Sequence, residues 1–146
     1  MLYRKKPVDF KEKFSAVGCF IENNKEFPFL KRVPTSRVEP NTYGHPAGKI
    51  DPGEDPLQAI LRETKEETGL ILNPHRLGYI GELFVRYPKF DFTYHMYHTL
   101  LVNRPNIIIN PKEHTDFSWK TPKKAISDLD LMLDEEECLR IVFNLR

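Results

Sequence analysis

The stretch that most constrains this chain runs from Gly48 to Leu70 and joins a glycine-containing loop to a glutamate-rich segment. Asp55 is suited to cap a helix, Pro56 suits its first position, and Gln58 completes the spacing of a capping box. Gly69 is the residue type expected at a left-handed helix end. Together these signals predict a helix of about three and a half turns, at 3.6 residues per turn.

The predicted helix has two chemically different sides. The side that can pack against a core carries Leu57, Ile60, Leu61 and Thr64. Glu63, Glu66 and Glu67 form a neighbouring stripe, because residues three and four apart share a helix face. Carboxylates this close repel one another unless a positive charge lies among them. On the helix alone, a solvated acidic face neutralised by Arg62 and Lys65 is the simpler interpretation.

The loop before the helix favours a metal-binding interpretation. Loop and helix together resemble the Nudix box: a glycine, five residues, a glutamate, seven residues, then Arg-Glu-apolar-any-Glu-Glu-any-Gly-apolar. The matching residues are Gly48, Glu54, Arg62, Glu63, Glu66, Glu67, Gly69 and Leu70. Thr64 stands where the pattern has an apolar residue. Since Thr64 lies on the core-facing side, this departure concerns packing and leaves the acidic stripe intact.

The resemblance implies a Nudix hydrolase that binds Mg²⁺, with Mn²⁺ as an alternative cation. Mg²⁺ typically takes a few carboxylates together with water and substrate phosphate oxygens. Under this interpretation Glu63 and Glu67 bind the cation most directly, and Glu66 joins them or orients the attacking water. The carbonyl of Ala47 completes the coordination, since a backbone ligand survives the replacement of the family's glycine by alanine.

A second group of residues would support this site. The resemblance pairs Glu54 with Arg62, which would hold the loop against the helix and support catalysis. Gly48 and Gly69 would shape the loop and the helix end.

Glu113 is a further candidate, far from the box in sequence and six residues before Trp119. Nudix enzymes often have a glutamate in such a loop, where it completes a metal site or accepts the proton of the water. A solvated loop glutamate is the alternative, in which case Glu66 or another box residue is the base.

Three residues are predicted to contact the substrate. Arg32 ends a predicted strand, where the family often has a basic residue near the phosphates; a solvated strand end is the alternative. Tyr43 stands where the family often has tryptophan before a Pro-Gly-Gly segment. Tyr87 falls where dinucleoside polyphosphate hydrolases often have tyrosine. The Pro-Ala-Gly-Lys segment at Pro46 instead resembles ADP-ribose pyrophosphatases, so a nucleoside triphosphate, a dinucleoside polyphosphate and an ADP-ribose-like substrate all stay open.

The rest of the pattern predicts an α/β (α+β) fold, in which a mixed β-sheet lies between helices as in the Nudix αβα sandwich. Strands are expected over residues 14–22, 27–32, 77–87 and 92–103, and a polar loop over residues 110–112 leads to Glu113. A short helix should follow Thr121 and Pro122. An amphipathic helix should span residues 134–145.

Composition narrows the function classes. A chain of 146 residues is predicted to form a single domain, residues 1–146. The net charge of +1 gives no electrostatic footprint for duplex nucleic acid. No apolar run approaches the ~20 residues needed to cross a membrane, so a cytoplasmic location is expected. Cys19 and Cys138 are predicted to be free core thiols. The expected partner is a small-molecule nucleotide, bound by a monomer or homodimer.

Two other classes remain compatible with the sequence. A catalytically silent nucleotide-binding Nudix module would have the same fold without turnover. An ordinary α+β domain with an acidic helix would have neither metal nor nucleotide site. The intact set of acidic residues favours the enzyme over both.

Overall fold

The computed structural model describes all residues from Met1 to Arg146. The strands are β1 (Leu2–Tyr3), β2 (Glu12–Glu22), β3 (Phe27–Arg32), β4 (Tyr43–Gly44), β5 (Ala47–Lys49), β6 (Gly78–Arg86), β7 (Asp91–Leu100) and β8 (His114–Lys120). The helices are α1 (Pro56–Thr68), α2 (Pro122–Asp128) and α3 (Glu135–Val142), and a 3₁₀ turn covers Pro74–Arg76.

The strands form two sheets. The larger sheet has the order β1-β6-β7-β2-β5, and the smaller one the order β4-β3-β8. In the larger sheet β2 and β7 run parallel, whereas the other neighbours run antiparallel. This mixed sheet with three helices confirms the predicted α/β (α+β) fold class. None of the helices combines the length and the apolar character needed to cross a bilayer.

Strand β2 separates two parts of the core, because successive side chains of a strand point to opposite faces. Val17, Cys19 and Ile21 pack with Ala59 and Ile60 of α1 on one face. The other face packs against α3 through residues that include Ala16, Phe20, Cys138 and Leu139. Both cysteines are buried and free, as predicted.

Helix α1 begins and ends as the sequence predicts. The Asp55 side chain accepts a hydrogen bond from the Gln58 backbone N–H at 2.8 Å, and the Gln58 side chain accepts one from the Asp55 N–H at 2.9 Å. Gly69 ends the helix with a φ of 76°, in the left-handed region. Thr64 is fully buried, whereas Leu57 in the first turn is 37% exposed, contrary to its predicted core-facing position.

Several predicted boundaries differ from the structure; the strand expected over residues 92–103, for example, ends at Leu100. No strand was expected after Glu113, but His114–Lys120 forms β8, which pairs with β3 from Phe27 to Arg32. The pairing partner lies far away in sequence, so local pattern does not reveal it. The last helix is shorter than predicted at both ends: Asp134 adopts a left-handed conformation with a φ of 68°, and α3 covers only Glu135–Val142.

Candidate active site

The site is built where strand β5 passes over helix α1. Gly48 allows this close approach, since a Cβ atom added there would lie 2.1 Å from Cδ of Glu63. One residue earlier, the Ala47 backbone N–H donates to Oε1 of Glu67 at 2.8 Å. Two carboxylates of the acidic stripe are therefore fixed against the loop backbone.

Arg62 of α1 holds the preceding loop in place through hydrogen bonds. Its Nε and Nη2 atoms donate to the two carboxylate oxygens of Glu54 at 2.7 and 2.8 Å, a bidentate pair. Nη2 also donates to the Lys49 carbonyl at 3.0 Å, while Nη1 donates to Glu63 at 2.8 Å and to Glu66 at 3.3 Å. The expected pair of Glu54 and Arg62 is thus present, and Arg62 additionally orients Glu63.

The carboxylates at this junction have different electrostatic environments. The Arg62 guanidinium lowers the pKa of Glu54 to about 2. Burial raises the pKa of Glu63 despite its bond to Arg62. Burial also raises the pKa of Glu67 well above its usual range, and the nearby carboxylates of Glu63 and Glu113 raise it further. Buried carboxylates of this kind are stabilised by a bound cation.

A charged cavity of about 420 Å³ opens in front of these residues, and we call it the acidic cavity after its three glutamates. Its wall includes Glu63 and Glu67 of α1, Ala47 and Gly48 of the loop, and three basic side chains: Arg32, Lys49 and Lys112. Glu113 and His114 reach the cavity from the start of β8. One ligand atom each of Glu67, Glu113 and His114 lies within 4.8 Å of the other two, the spacing of a potential metal site.

His114 is a site residue that sequence reasoning missed. It is 8% exposed, and its Nε2 lies 3.9 Å from Oε2 of Glu67. Its Nδ1 is buried without a hydrogen-bond partner. Burial, together with the charge of Arg32, lowers its pKa to about 4, so the ring is neutral at neutral pH. Its position next to Glu113 was the only sequence signal.

An aromatic cavity of about 370 Å³ adjoins the acidic one. Its wall contains five aromatic rings: Phe14, Tyr87, Phe90, Phe92 and Tyr94. Phe14 and Phe92 stack with their centroids 5.0 Å apart, and Tyr87 meets Phe92 edge-on at 5.5 Å. The two cavities share Arg32, Ala47, Gly48, Lys49, Glu67 and His114.

Two of the three predicted substrate residues line a cavity, and the third does not. Arg32 lines both cavities, and Tyr87 lines the aromatic one. Tyr43 lies outside both, and its hydroxyl donates to Asp116 at 3.3 Å. Glu66, whose side chain is 52% exposed, also lies outside the acidic cavity and bonds to Arg62. Gly69 lies at the helix end rather than at the cavity.

Comparison with known proteins establishes the family. The model of the NUDIX domain matches residues 12–140, which include the loop, α1 and most of both cavities. The chain therefore belongs to the Nudix family, as its resemblance to the Nudix box implied.

Individual relatives agree with this assignment. Over 78 residues the chain is 32% identical to an 8-oxo-dGTP diphosphatase of Escherichia coli (strain K12), a match that covers 53% of this chain and 58% of that protein. The structure of a MutT protein from Methanosarcina mazei Go1 has a TM-score of 0.78 at 21% identity, covering 94% of this chain and 97% of the other. An Ap4A hydrolase of C. elegans, solved as a binary complex, has a TM-score of 0.68 at 26% identity and coverages of 90% and 95%.

Proposed function

We propose that this protein is a metal-dependent pyrophosphohydrolase that cleaves a nucleoside diphosphate linked to another group. The main support for this proposal is that the two cavities share part of their wall. One ligand could therefore place an aromatic base in the aromatic cavity and its phosphates in the acidic cavity. Aromatic side chains suit a base, because offset and edge-on ring contacts are favourable. Basic and acidic groups together suit phosphates with a bound cation.

The side chains around the acidic cavity fit a divalent cation. Glu63, Glu67 and Glu113 offer carboxylate oxygens, and the neutral ring of His114 offers a nitrogen. Carboxylates suit Mg²⁺ and Mn²⁺, whereas an added imidazole favours metals that accept nitrogen ligands. The carbonyl of Ala47 is the proposed backbone ligand. When bound, the cation would neutralise phosphate charge and make a coordinated water more acidic.

Other residues of the chain would prepare the site for this chemistry. Arg62 holds the Glu63 carboxylate through a bond of 2.8 Å. Gly48 leaves the space that this carboxylate occupies. Arg32 and Lys49 line both cavities, so they are placed to contact phosphate oxygens of a ligand that extends from one to the other.

Glu113 is the proposed general base. It is exposed to solvent at the acidic cavity and lies next to Glu67, so it can accept the proton of a water that attacks phosphorus. Glu66 is the alternative base and a further proposed ligand; to reach the cavity it would have to leave its contact with Arg62.

We order the candidate substrates by their likeness to those named for the relatives. One is an 8-oxo-dGTP diphosphatase and another an Ap4A hydrolase, so nucleoside triphosphates and dinucleoside polyphosphates come first, followed by ADP-ribose-like compounds. Tyr87 in the wall of the aromatic cavity is the proposed base contact, while Tyr43 would act only through packing. We propose that residues 1–146 function as one domain, as a monomer or homodimer.

A nucleotide panel tests this proposal. Purified protein should hydrolyse at least one of these nucleotides with Mg²⁺, giving a nucleoside monophosphate as identified by mass spectrometry, and should lose turnover in excess EDTA. Glu67→Gln should lower kcat/KM more than tenfold, which corresponds to about 1.4 kcal/mol of transition-state stabilisation. Glu137→Gln, on the exposed side of α3, is the matched control. Nucleotide binding without turnover would identify a silent module and overturn the proposal.

A further inference from the structure

The acidic cavity continues beyond the wall that it shares with the aromatic cavity. Six residues line the acidic cavity only, and we call the part that they enclose its distal end: Val33, Thr35, Ser36, Glu63, Lys112 and Glu113. None of the six is aromatic, and Val33 is the only apolar one. The distal end therefore offers charged and hydroxyl groups, but no ring on which a second nucleobase could stack.

The pairing of β3 with β8 brings the two segments of the distal end together. Arg32, at the end of β3, stands opposite His114, at the start of β8. The next backbone contact continues this pairing, since the Val33 N–H donates to the Glu113 carbonyl at 3.0 Å. The chain after β3 and the chain before β8 therefore leave the sheet side by side, and Lys112 lies on the second of these segments.

The basic side chains of the acidic cavity have no carboxylate partner. Arg32, Lys49 and Lys112 line this cavity beside three glutamates, yet none of the three is in an ion pair. The Lys49 ammonium instead lies 4.5 Å from the centroid of the Phe14 ring, and the Arg32 guanidinium donates to the Val38 carbonyl at 3.2 Å. Three such cations at one cavity favour an anionic ligand, because each can form a charge-assisted hydrogen bond with it.

The position of each cation along the two cavities indicates which part of the ligand it meets. Arg32 and Lys49 line both cavities, whereas Lys112 lines only the distal end. A ligand with its base in the aromatic cavity would therefore pass Arg32 and Lys49 before its far end reaches Lys112. A ribose or a second nucleoside at that end has no charge to offer the ammonium. A terminal phosphate has one, and the Thr35 hydroxyl on the other segment can donate to the same group.

We propose that Lys112, together with Thr35, binds the terminal phosphate of a nucleoside triphosphate; this rests on the proposed function. The subsite selects phosphate-terminated nucleotides over dinucleoside polyphosphates and ADP-ribose-like compounds, whose far end is a nucleoside or a ribose. Lys112 contacts a phosphate and not the base, so its effect depends on the number of phosphates and is the same for every base. Lysine suits this task because its ammonium binds phosphate as a point charge.

The experiment compares nucleotides that differ by one phosphate. Calorimetry with Mg²⁺ present gives Kd values for the α,β-methylene analogues of ATP and ADP, and for those of GTP and GDP. Wild type should bind each triphosphate analogue about tenfold more tightly than the diphosphate analogue of the same base, since a hydrogen bond to a charged group contributes on that order. Lys112→Gln should lose most of this preference, whereas Lys112→Arg, which keeps the charge, should retain it. Lys123→Gln, exposed on α2 and outside both cavities, is the matched control.

Turnover gives an independent check. Lys112→Gln should raise KM for nucleoside triphosphates about tenfold with little change in kcat, and should leave KM for diadenosine tetraphosphate and ADP-ribose as in wild type. Because the analogues measure binding without cleavage, a protein that shows the expected preference and hydrolyses no nucleotide would contradict the proposed hydrolysis but support this subsite.

Two results would overturn the assignment. Equal Kd values for the triphosphate and diphosphate analogues in wild type would show that the distal end does not recognise a terminal phosphate. A Lys112→Gln variant that keeps the wild-type preference would show that this lysine is a solvated loop residue. Lys112 is exposed, so the melting curves of its variants should coincide with that of wild type.

Discussion

Adding one methyl group at Gly48 should displace the Glu63 carboxylate while leaving its chemistry unchanged. The new Cβ atom would lie 2.1 Å from Cδ of Glu63 and 2.3 and 2.4 Å from its two carboxylate oxygens. Carbon atoms in contact prefer about 3.5–4.0 Å, so the carboxylate has to retreat by more than about 1 Å. This retreat works against the 2.8 Å bond from Arg62, which holds Glu63 in place.

The size of the effect follows from these distances. Overpacking of this kind costs about 1–3 kcal/mol of folding free energy, and each kcal/mol lowers the melting temperature of a domain this size by about 2–4 °C. A fall of roughly 2–12 °C is therefore expected for Gly48→Ala. Because a misplacement of about 1 Å can reduce turnover about 10²-fold, kcat/KM should decrease by that order.

A double-mutant cycle isolates the contact. Gly48→Ala is measured by urea unfolding in wild type and in Glu63→Ala, which lacks the carboxylate that the methyl group meets. The destabilisation should be absent in the Glu63→Ala background, giving a coupling of about 1–3 kcal/mol. Gly78→Ala is the control, because its Cβ would meet only the His98 carbonyl oxygen at 3.7 Å. An equal cost of Gly48→Ala in both backgrounds would refute the steric argument.

Three further predictions concern neighbouring residues. Arg62→Ala should lower both kcat/KM and stability, the latter by about 1.5–3 kcal/mol, because bonds to Glu54 and Glu63 are lost together; an unchanged melting midpoint beside a large rate loss would contradict a supporting role. In EDTA, wild-type stability should fall as pH rises above the usual Glu pKa of 4.5, because the raised pKa of Glu67 lets the native state bind more protons than the unfolded state. Glu67→Gln should reduce the slope of melting temperature against pH. An unaltered slope would show that other groups cause the pH dependence. Glu113→Gln should lower kcat by about 10²-fold with little change in KM and remove the acidic limb of the pH–rate profile; normal kcat with the same limb would return the role of base to Glu66.

Sequence reasoning was most successful where the relevant residues are close together along the chain. Asp55, Gln58 and Gly69 define the ends of α1 through local backbone chemistry, and the structure shows each cap. Arg62 reaches Glu54 because Glu54 directly precedes the Asp55 cap of α1, about two helical turns before Arg62. Helical periodicity also placed Glu63 and Glu67 together, but it does not show which side of the stripe faces the loop. Glu66 therefore shares their spacing and yet lies outside the cavity.

The remaining parts of the site depend on contacts between distant segments. His114 approaches Glu67 only because β8 pairs with β3, and nothing near His114 in sequence indicates that pairing. Glu135 meets His45 across 90 positions. Tyr43 shows the converse case: it matches a family position, but its hydroxyl bonds to Asp116 rather than facing a cavity. Residue spacing and secondary-structure propensity do not show which distant segments meet in the folded protein.

The acidic cavity is proposed to bind a divalent cation through Glu63, Glu67 and Glu113. Mn²⁺ titration followed by electron paramagnetic resonance tests it directly on wild type, Glu67→Gln and the control Glu137→Gln. Wild type and control should bind Mn²⁺ with the same Kd, whereas Glu67→Gln should bind at least tenfold more weakly, a loss of about 1.4 kcal/mol. An unchanged Kd for Glu67→Gln would contradict the claim, because the cation would then be bound elsewhere.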